Sequence, residues 1–313
     1  MDASTFDDIR TATISLVIIM NITLNVLLIA VIVRYPQLRE DRTTLFMFSL
    51  TLSDLACGCM AMPISAAVCS RLTPNVRNTS RYLPKIQAVL LTWFVVNSLH
   101  SLCWVTVCKM IAITQPLRYE QVLTRNRCYF IIGGIWLTGA VSGTVLAPFT
   151  ATWNFKQCIF EATMSTYTVG LIMFVDIFAI VCPAIIIVYS TTRIFFAIFR
   201  THRQITAQLN SIGGENGNFA TTPSLTLKSI RSGRNVLIIC LAFLILTMPF
   251  AVYVVMDAFS LSTPLPLSFA FISTWVLLSN SSVNSLMYIL LFQSVREKTA
   301  QTLRDICERC TLW

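Results

Sequence analysis

The sequence predicts an all-α membrane protein, a seven-transmembrane helix bundle with a short amphipathic eighth helix. Three observations carry that expectation. Of 313 residues, 55% are apolar and 12% charged, with a mean hydropathy of +0.71, whereas a soluble chain carries about 25% charged residues. Seven stretches are long enough to cross hydrocarbon, which takes about 20 apolar residues. They fall at 12–33, 44–68, 86–108, 129–150, 166–190, 235–258 and 266–291. The basic residues are also skewed to alternate loops, as a fixed membrane orientation requires.

The segment 1–11, "MDASTFDDIR" and one further residue, is acidic and lacks the basic start of a cleaved leader. It reads as a short extracellular N-terminus, and the first span as an uncleaved anchor. With that end outside, most of the 23 lysines and arginines lie within: Arg34, Arg39 and Arg42; Lys109, Arg118, Arg125 and Arg127; a group from Arg193 to Arg234; and Arg296, Lys298, Arg304 and Arg309. The net charge of +9 is thereby a topology signal and a match for anionic lipid, with no need for nucleic acid. Residues 12–291 form the bundle. Lipid offers backbone groups no water, so these spans are helices; the short alternation of barrel strands is absent.

Two loops are long. Residues 70–85 form an outer loop with a glycosylation sequon at Asn78. The sequons at Asn21 and Asn280 fall inside spans. Residues 204–227, rich in Gly, Asn, Ser and Thr, read as a mobile inner loop. After the last span, residues 292–313 form a surface helix and cytoplasmic tail. Val295, Thr299, Leu303, Ile306 and Cys310 recur there at intervals of three and four, giving a helix with one apolar face. Of the 11 cysteines, most lie in spans as small apolar residues. Cys307 and Cys310 are placed for palmitoylation at the inner face.

Short motifs occur in order along these spans. "NVLLIAVIV" contains Asn25; "SLTLSDLACG" contains Leu50 and Asp54; the third span ends "CKMIAITQPLRY". The fourth has Trp136, the fifth Pro183, the sixth "FLILTMP" and the seventh "NSSVNSLMY". In that order and spacing the chain resembles a rhodopsin-like (class A) G-protein-coupled receptor from about residue 15 to 307. The resemblance implies a plasma-membrane receptor that passes an extracellular or constitutive signal to a heterotrimeric G protein. It also implies that Ser98, Asn280, Ser281 and Asn284 converge on Asp54, with Asn25 adjacent, as a sodium site. An intramembrane carboxylate is costly without partners, and oxygen donors suit a hard cation. The same groups are also consistent with simple hydrogen bonding between helices.

Several positions depart from the family pattern. Cys108 and Lys109 stand where the family has an acid and an arginine, and "KSIRSG" offers no acid at the inner end of the sixth span. Lysine lacks the planar fork of arginine, so the resting clamp is either absent or rebuilt. Lys109 either serves coupling or only snorkels to the headgroups. Leu117 resembles the apolar knob that enters Gα, and Tyr288 is the last residue of the seventh-helix motif, in which Ser285 replaces proline. Thr247 replaces a tryptophan two residues before Pro249, and Thr191 stands where the fifth helix usually has tyrosine.

For the ligand pocket, the resemblance nominates Leu91, Asp176, Thr247, Phe250, Tyr253, Trp275 and Leu278. Leu91 stands where amine receptors carry aspartate, and Leu278 where a retinal protein carries lysine. The ligand is thus expected to be non-aminergic, with Asp176 either pairing a cation or bonding a neighbouring helix. His100 reads as a satisfied structural residue. Pro84 occupies the helix-three position of the family disulfide, which leaves Cys69 and Cys158 as the expected pair. A poorly signalling partner or decoy is the second reading, and an ion or proton transporter built on Asp54 and Asp176 the third. No nucleophile–base set or metal-ligand spacing suggests an enzyme, and no cofactor beyond sodium is expected.

Overall fold

The computed structural model describes residues 3–70, 82–146, 152–154, 158–161, 177–212, 222–258 and 267–311. The expected sites Asn78 and Asp176 lie outside these residues. Helix α1 runs Ala3–Arg34 and stops at Tyr35, which precedes Pro36; proline pushes the preceding residue out of helical geometry. A one-turn helix, Pro36–Glu40, leads to Asp41, whose side chain caps α2 by accepting from the Thr43 backbone N–H at 3.2 Å. Helix α2 spans Arg42–Cys69, and α3 Leu83–Thr114. A short helix, Pro116–Val122, precedes α4 at Arg125–Leu146.

Strands β1 (Thr152–Asn154) and β2 (Ile159–Glu161) pair antiparallel across the top. Helix α5 consists of a π-helical turn, Ile177–Val181, running into Cys182–Ile212. Helices α6 (Thr222–Ala258), α7 (Leu267–Leu291) and α8 (Gln293–Thr311) complete the chain.

Six of these helices are long and apolar enough to cross a membrane, and Ser268–Leu291 with the following helix passes as a seventh, bent by 95° at their junction. Helix α8 therefore lies almost at right angles to α7. Helix α3 is the hub, packed on α2, α4, α5 and α6, while α1 packs on α2 and α7. Large side chains such as Ile19, Leu137, Phe195 and Ile245 remain more than half exposed, which suits acyl chains rather than water.

Two expectations change. The first helix begins at Ala3 rather than near residue 12, so residues 3–11 form its outer end instead of a separate tail. The inner loop expected at 204–227 is largely helical, since α5 continues to Ile212 and α6 begins at Thr222; polar composition misled because these turns extend beyond the hydrocarbon into water. Both α2 and α5 also contain π turns, Cys57–Ala61 and Ile177–Val181, just before Pro63 and Pro183. Proline withholds a backbone donor, and a π turn accommodates the break without ending the helix.

The interior is layered. An outer apolar cluster joins Ile14, Met62, Leu91, Phe94, Cys158, Phe271, Trp275 and Leu278. An inner one joins Leu28, Phe46, Leu50, Leu102, Ile194, Ile239 and Tyr288. Between them sits a polar belt in which Asn21, Asn25, Asp54, Asn284 and Ser285 are all buried. Where α4 meets α3 the backbones approach closely, and a Cβ built on Gly143 would lie 2.5 Å from the Val89 carbonyl oxygen, while one on Gly133 would meet nothing within 4 Å. Gly143→Ala is therefore expected to destabilise the bundle by about 1–3 kcal/mol, the usual range for overpacking. Gly133→Ala should leave the thermal midpoint of the detergent-purified protein unchanged or slightly raised, and the pair of melts checks both.

Candidate functional site: a polar belt and an inner ion pair

Asp54 sits on α2 between Leu50 of the inner cluster and Cys57 of the outer one, and is 1% exposed. Ser281 donates to its Oδ1 at 2.9 Å. Ser98 and Asn284 also present their side chains to this carboxylate, yet Asp54 Oδ2 and Asn284 Nδ2 are both buried without a hydrogen-bond partner. Asn280 makes no described contact with Asp54; its Oδ1 is buried and unpartnered in the same belt. Asn25 points elsewhere. It donates to Asn21 Oδ1 at 2.9 Å and accepts from Ser285 at 2.6 Å. Ser285, where a proline was expected from the motif, thus ties α7 to α1.

This donor set fits a small hard cation. One carboxylate oxygen is engaged by a hydroxyl and the other is buried and unpartnered. A buried acceptor without a donor costs about 1–3 kcal/mol, which a cation would offset. Asp54, Ser98, Ser281 and Asn284 are the residues that would hold it.

The inner face resolves the question posed by Cys108 and Lys109. Cys108 is fully buried and packs in the apolar core, so it takes no part in charge pairing. Lys109 Nζ instead lies 3.5 Å from Asp41 Oδ2 and 5.7 Å from the centre of the Phe292 ring. Asp41 Oδ1 accepts from the Tyr119 hydroxyl at 3.3 Å as well as from the Thr43 N–H. Tyr119 OH also lies 3.3 Å from Thr43 Oγ1. Burial first, then the neighbouring Asp41 charge, pushes the Tyr119 phenol above its usual range, so it remains a neutral donor.

Asp41, in the turn before α2, therefore supplies the counter-charge that Lys109 lacks on its own helix. Sequence reasoning missed it. The available signal was a capping Asp one residue before Arg42-Thr43-Thr44, together with a lysine lacking any acid on its own helix.

Lys109 and Asp41 line a cavity of about 750 Å³ at the inner end of the bundle, with Thr44, Met47, Asn235 and Phe292 on its walls. Tyr288 stands beneath it, fully buried, its ring 5.5 Å from that of Phe292. Leu117, on the short helix after α3, is 90% exposed. Thr191 turns its hydroxyl toward Cys240, while Tyr189 stands exposed beside Arg193.

On the outer side, Leu91, Trp275 and Leu278 join the outer cluster, and Phe250 packs on Tyr253 at 6.2 Å. Thr247 donates to the Phe243 carbonyl at 2.7 Å, a bond within its own helix. His100 Nδ1 lies 2.9 Å from the Val96 carbonyl oxygen. Cys69 and Cys158 form a disulfide with Cα atoms 5.8 Å apart, inside the usual range, and Arg10 Nη2 lies 2.7 Å from Cys158 Sγ. On α8, Cys307 and Cys310 are exposed.

The family described as "7 transmembrane receptor (rhodopsin family)" matches residues 24–288. Among curated relatives, "Probable G-protein coupled receptor 21" of Mus musculus is 28% identical, covering 91% of this chain and 80% of its own length. "Octopamine receptor beta-2R" of Chilo suppressalis is 23% identical over 97% of this chain and 81% of its own. "Adenosine receptor A3" of Bos taurus is 26% identical over 66% of this chain and 64% of its own. With a match across all seven membrane helices, the chain belongs to the rhodopsin family of G-protein-coupled receptors.

Proposed function

We propose that this receptor sits in the plasma membrane with its N-terminus outside and passes its signal to a heterotrimeric G protein through the inner cavity. The observation that carries this reading is the cavity itself, large enough for the end of a helix, with Lys109 on its wall and Leu117 projecting beside it. The Lys109–Asp41 pair acts as the resting clamp, joining α3 to the turn before α2. Lys109 is largely covered but Asp41 is 44% exposed, and an ion pair open to water on one side is worth about 1 kcal/mol, so this clamp is weak and the resting state is only modestly favoured. Such a receptor signals without ligand to a measurable extent.

The ligand is non-aminergic in this reading, since Leu91 gives an ammonium nothing to pair with and is buried in the outer cluster, although relatives carry octopamine and 5-hydroxytryptamine in their names. Sodium in the belt around Asp54 stabilises the resting bundle. Glycosylation at Asn78 and palmitoylation of Cys307 and Cys310 complete the surface placement.

The poorly signalling alternative draws on Thr247, which engages its own helix rather than the pocket. Ligand-free activation measured across Gα subtypes separates the two, and no response with any subtype would favour the alternative.

Asp41→Asn keeps an N-cap of equal quality while removing the charge. Ligand-free signalling should rise by about two- to fivefold, the scale set by a weak ion pair; unchanged or reduced signalling in a basal assay would exclude the clamp. For the belt, the thermal midpoint of the purified receptor should rise when sodium replaces an equal concentration of choline. That rise should vanish in Asp54→Asn. Equal rises in both proteins would remove sodium from the site.

A further inference from the structure

A second recess opens from the rim of the coupling cavity, between α6, the end of α7 and the start of α8, and shares Arg231, Asn235, Leu291 and Gln293 with it. Its volume is about 330 Å³, and its polar lining is Arg231, Arg234, Asn235, Gln293 and Arg296. Three of these five side chains are guanidiniums, and among the described residues no carboxylate lines the recess. Arg231 donates to Gln293 Oε1 at 3.3 Å and Arg296 to the Leu290 carbonyl at 3.5 Å. Arg234 makes no hydrogen bond or ion pair among the described residues. Each guanidinium has five N–H donors, and all three side chains are exposed, so most of their donors are open to an incoming anion. Glu297 lines the larger cavity and accepts from Gln293 Nε2 at 2.8 Å, which turns Gln293 Oε1 toward Arg231 and leaves the acid outside.

Depth adds to this. The unbroken apolar run of α6 begins at Val236, just after Arg231 and Arg234, and α7 gives way at Leu291 to α8, which carries Arg296. All three arginines therefore lie at the level where the hydrocarbon gives way to headgroups on the inner side. Arginine forks match phosphate oxygens in pairs, as lysine does not, and the inner leaflet is the anionic one.

We propose that this recess is a binding site for phosphate-bearing anions, held by Arg231 and Arg234 from α6 and Arg296 from α8. A phosphate there bridges α6 to α8 alongside the hydrogen bond from Asn235 Nδ2 to the Leu291 carbonyl. It thus fastens the inner end of α6 at the rim of the coupling cavity.

The test uses the full chain in nanodiscs of phosphatidylcholine, with thermal midpoint as the readout. One arm adds phosphatidylinositol bisphosphate to the disc; a second adds soluble inositol trisphosphate; a third adds inorganic phosphate. Stabilisation is expected in at least one arm, with the half-maximal concentration raised about tenfold or more in Arg231→Gln/Arg234→Gln/Arg296→Gln, given the usual gain per basic residue near a membrane. Arg125→Gln/Arg127→Gln, on α4, should respond like wild type. A response confined to the lipid arm assigns the anion to a headgroup, and one in the soluble arms assigns it to the cytosol. Arg234→Gln alone serves if the triple variant does not fold, because Arg234 contributes no bond to the fold among the described residues and its loss should still weaken binding. No stabilisation of wild type in any arm, or equal response of wild type and the arginine variants, overturns the proposal.

Discussion

A carboxylate held out of water within a lipid-embedded bundle is the constraint around which this structure is arranged. An ionisable group in a membrane span is tolerated only with internal partners, and Asp54 finds its partners on α3 and α7. That requirement places polar residues of four helices at one depth, between two apolar clusters. The layering is a direct consequence of solvent. In water, these side chains would have been free to face outward; in hydrocarbon they face each other, and the surface is left to Ile19, Leu137 and Ile245.

The inner face shows how a charge pair can move without the arrangement being lost. Cys108 cannot carry the negative charge and is enclosed in the core. Asp41 supplies it from a different element, and does so while capping α2 and accepting from Tyr119. One side chain thus fixes the start of a helix, the orientation of the short helix after α3 and the position of Lys109. Such sharing is economical but couples the three: a shift in any of these elements disturbs the others.

Much of the architecture was legible in the amino acids. Composition and span length decided the class, since nothing but helices satisfies seven apolar segments, and the spacing of three and four from Val295 to Cys310 foretold α8. The hydrogen bond from Ser281 to Asp54 joins two motif positions, whereas Asn280, nominated by the same resemblance, makes no described contact with that carboxylate. What remained hidden was long-range. The partner of Lys109 lies about 70 positions away in the chain, on a turn whose acid looked like an ordinary helix cap. Loop composition at 204–227 was misleading for a related reason: polar residues mark the end of the membrane, and the helices do not stop there. Asn25 and Ser285 each matched or departed from a motif in isolation, and only their mutual hydrogen bond explains both.

The π turn before Pro63 has a practical consequence for comparing receptors. It inserts one residue into the helical count, and a residue corresponds to about 100° of rotation about the axis. Side chains outward of Ala61 on α2 accordingly face about a quarter-turn away from where unbroken counting from Asp54 would aim them. Pharmacophores transplanted by alignment onto the extracellular end of this helix need that rotation applied before any docking pose is compared.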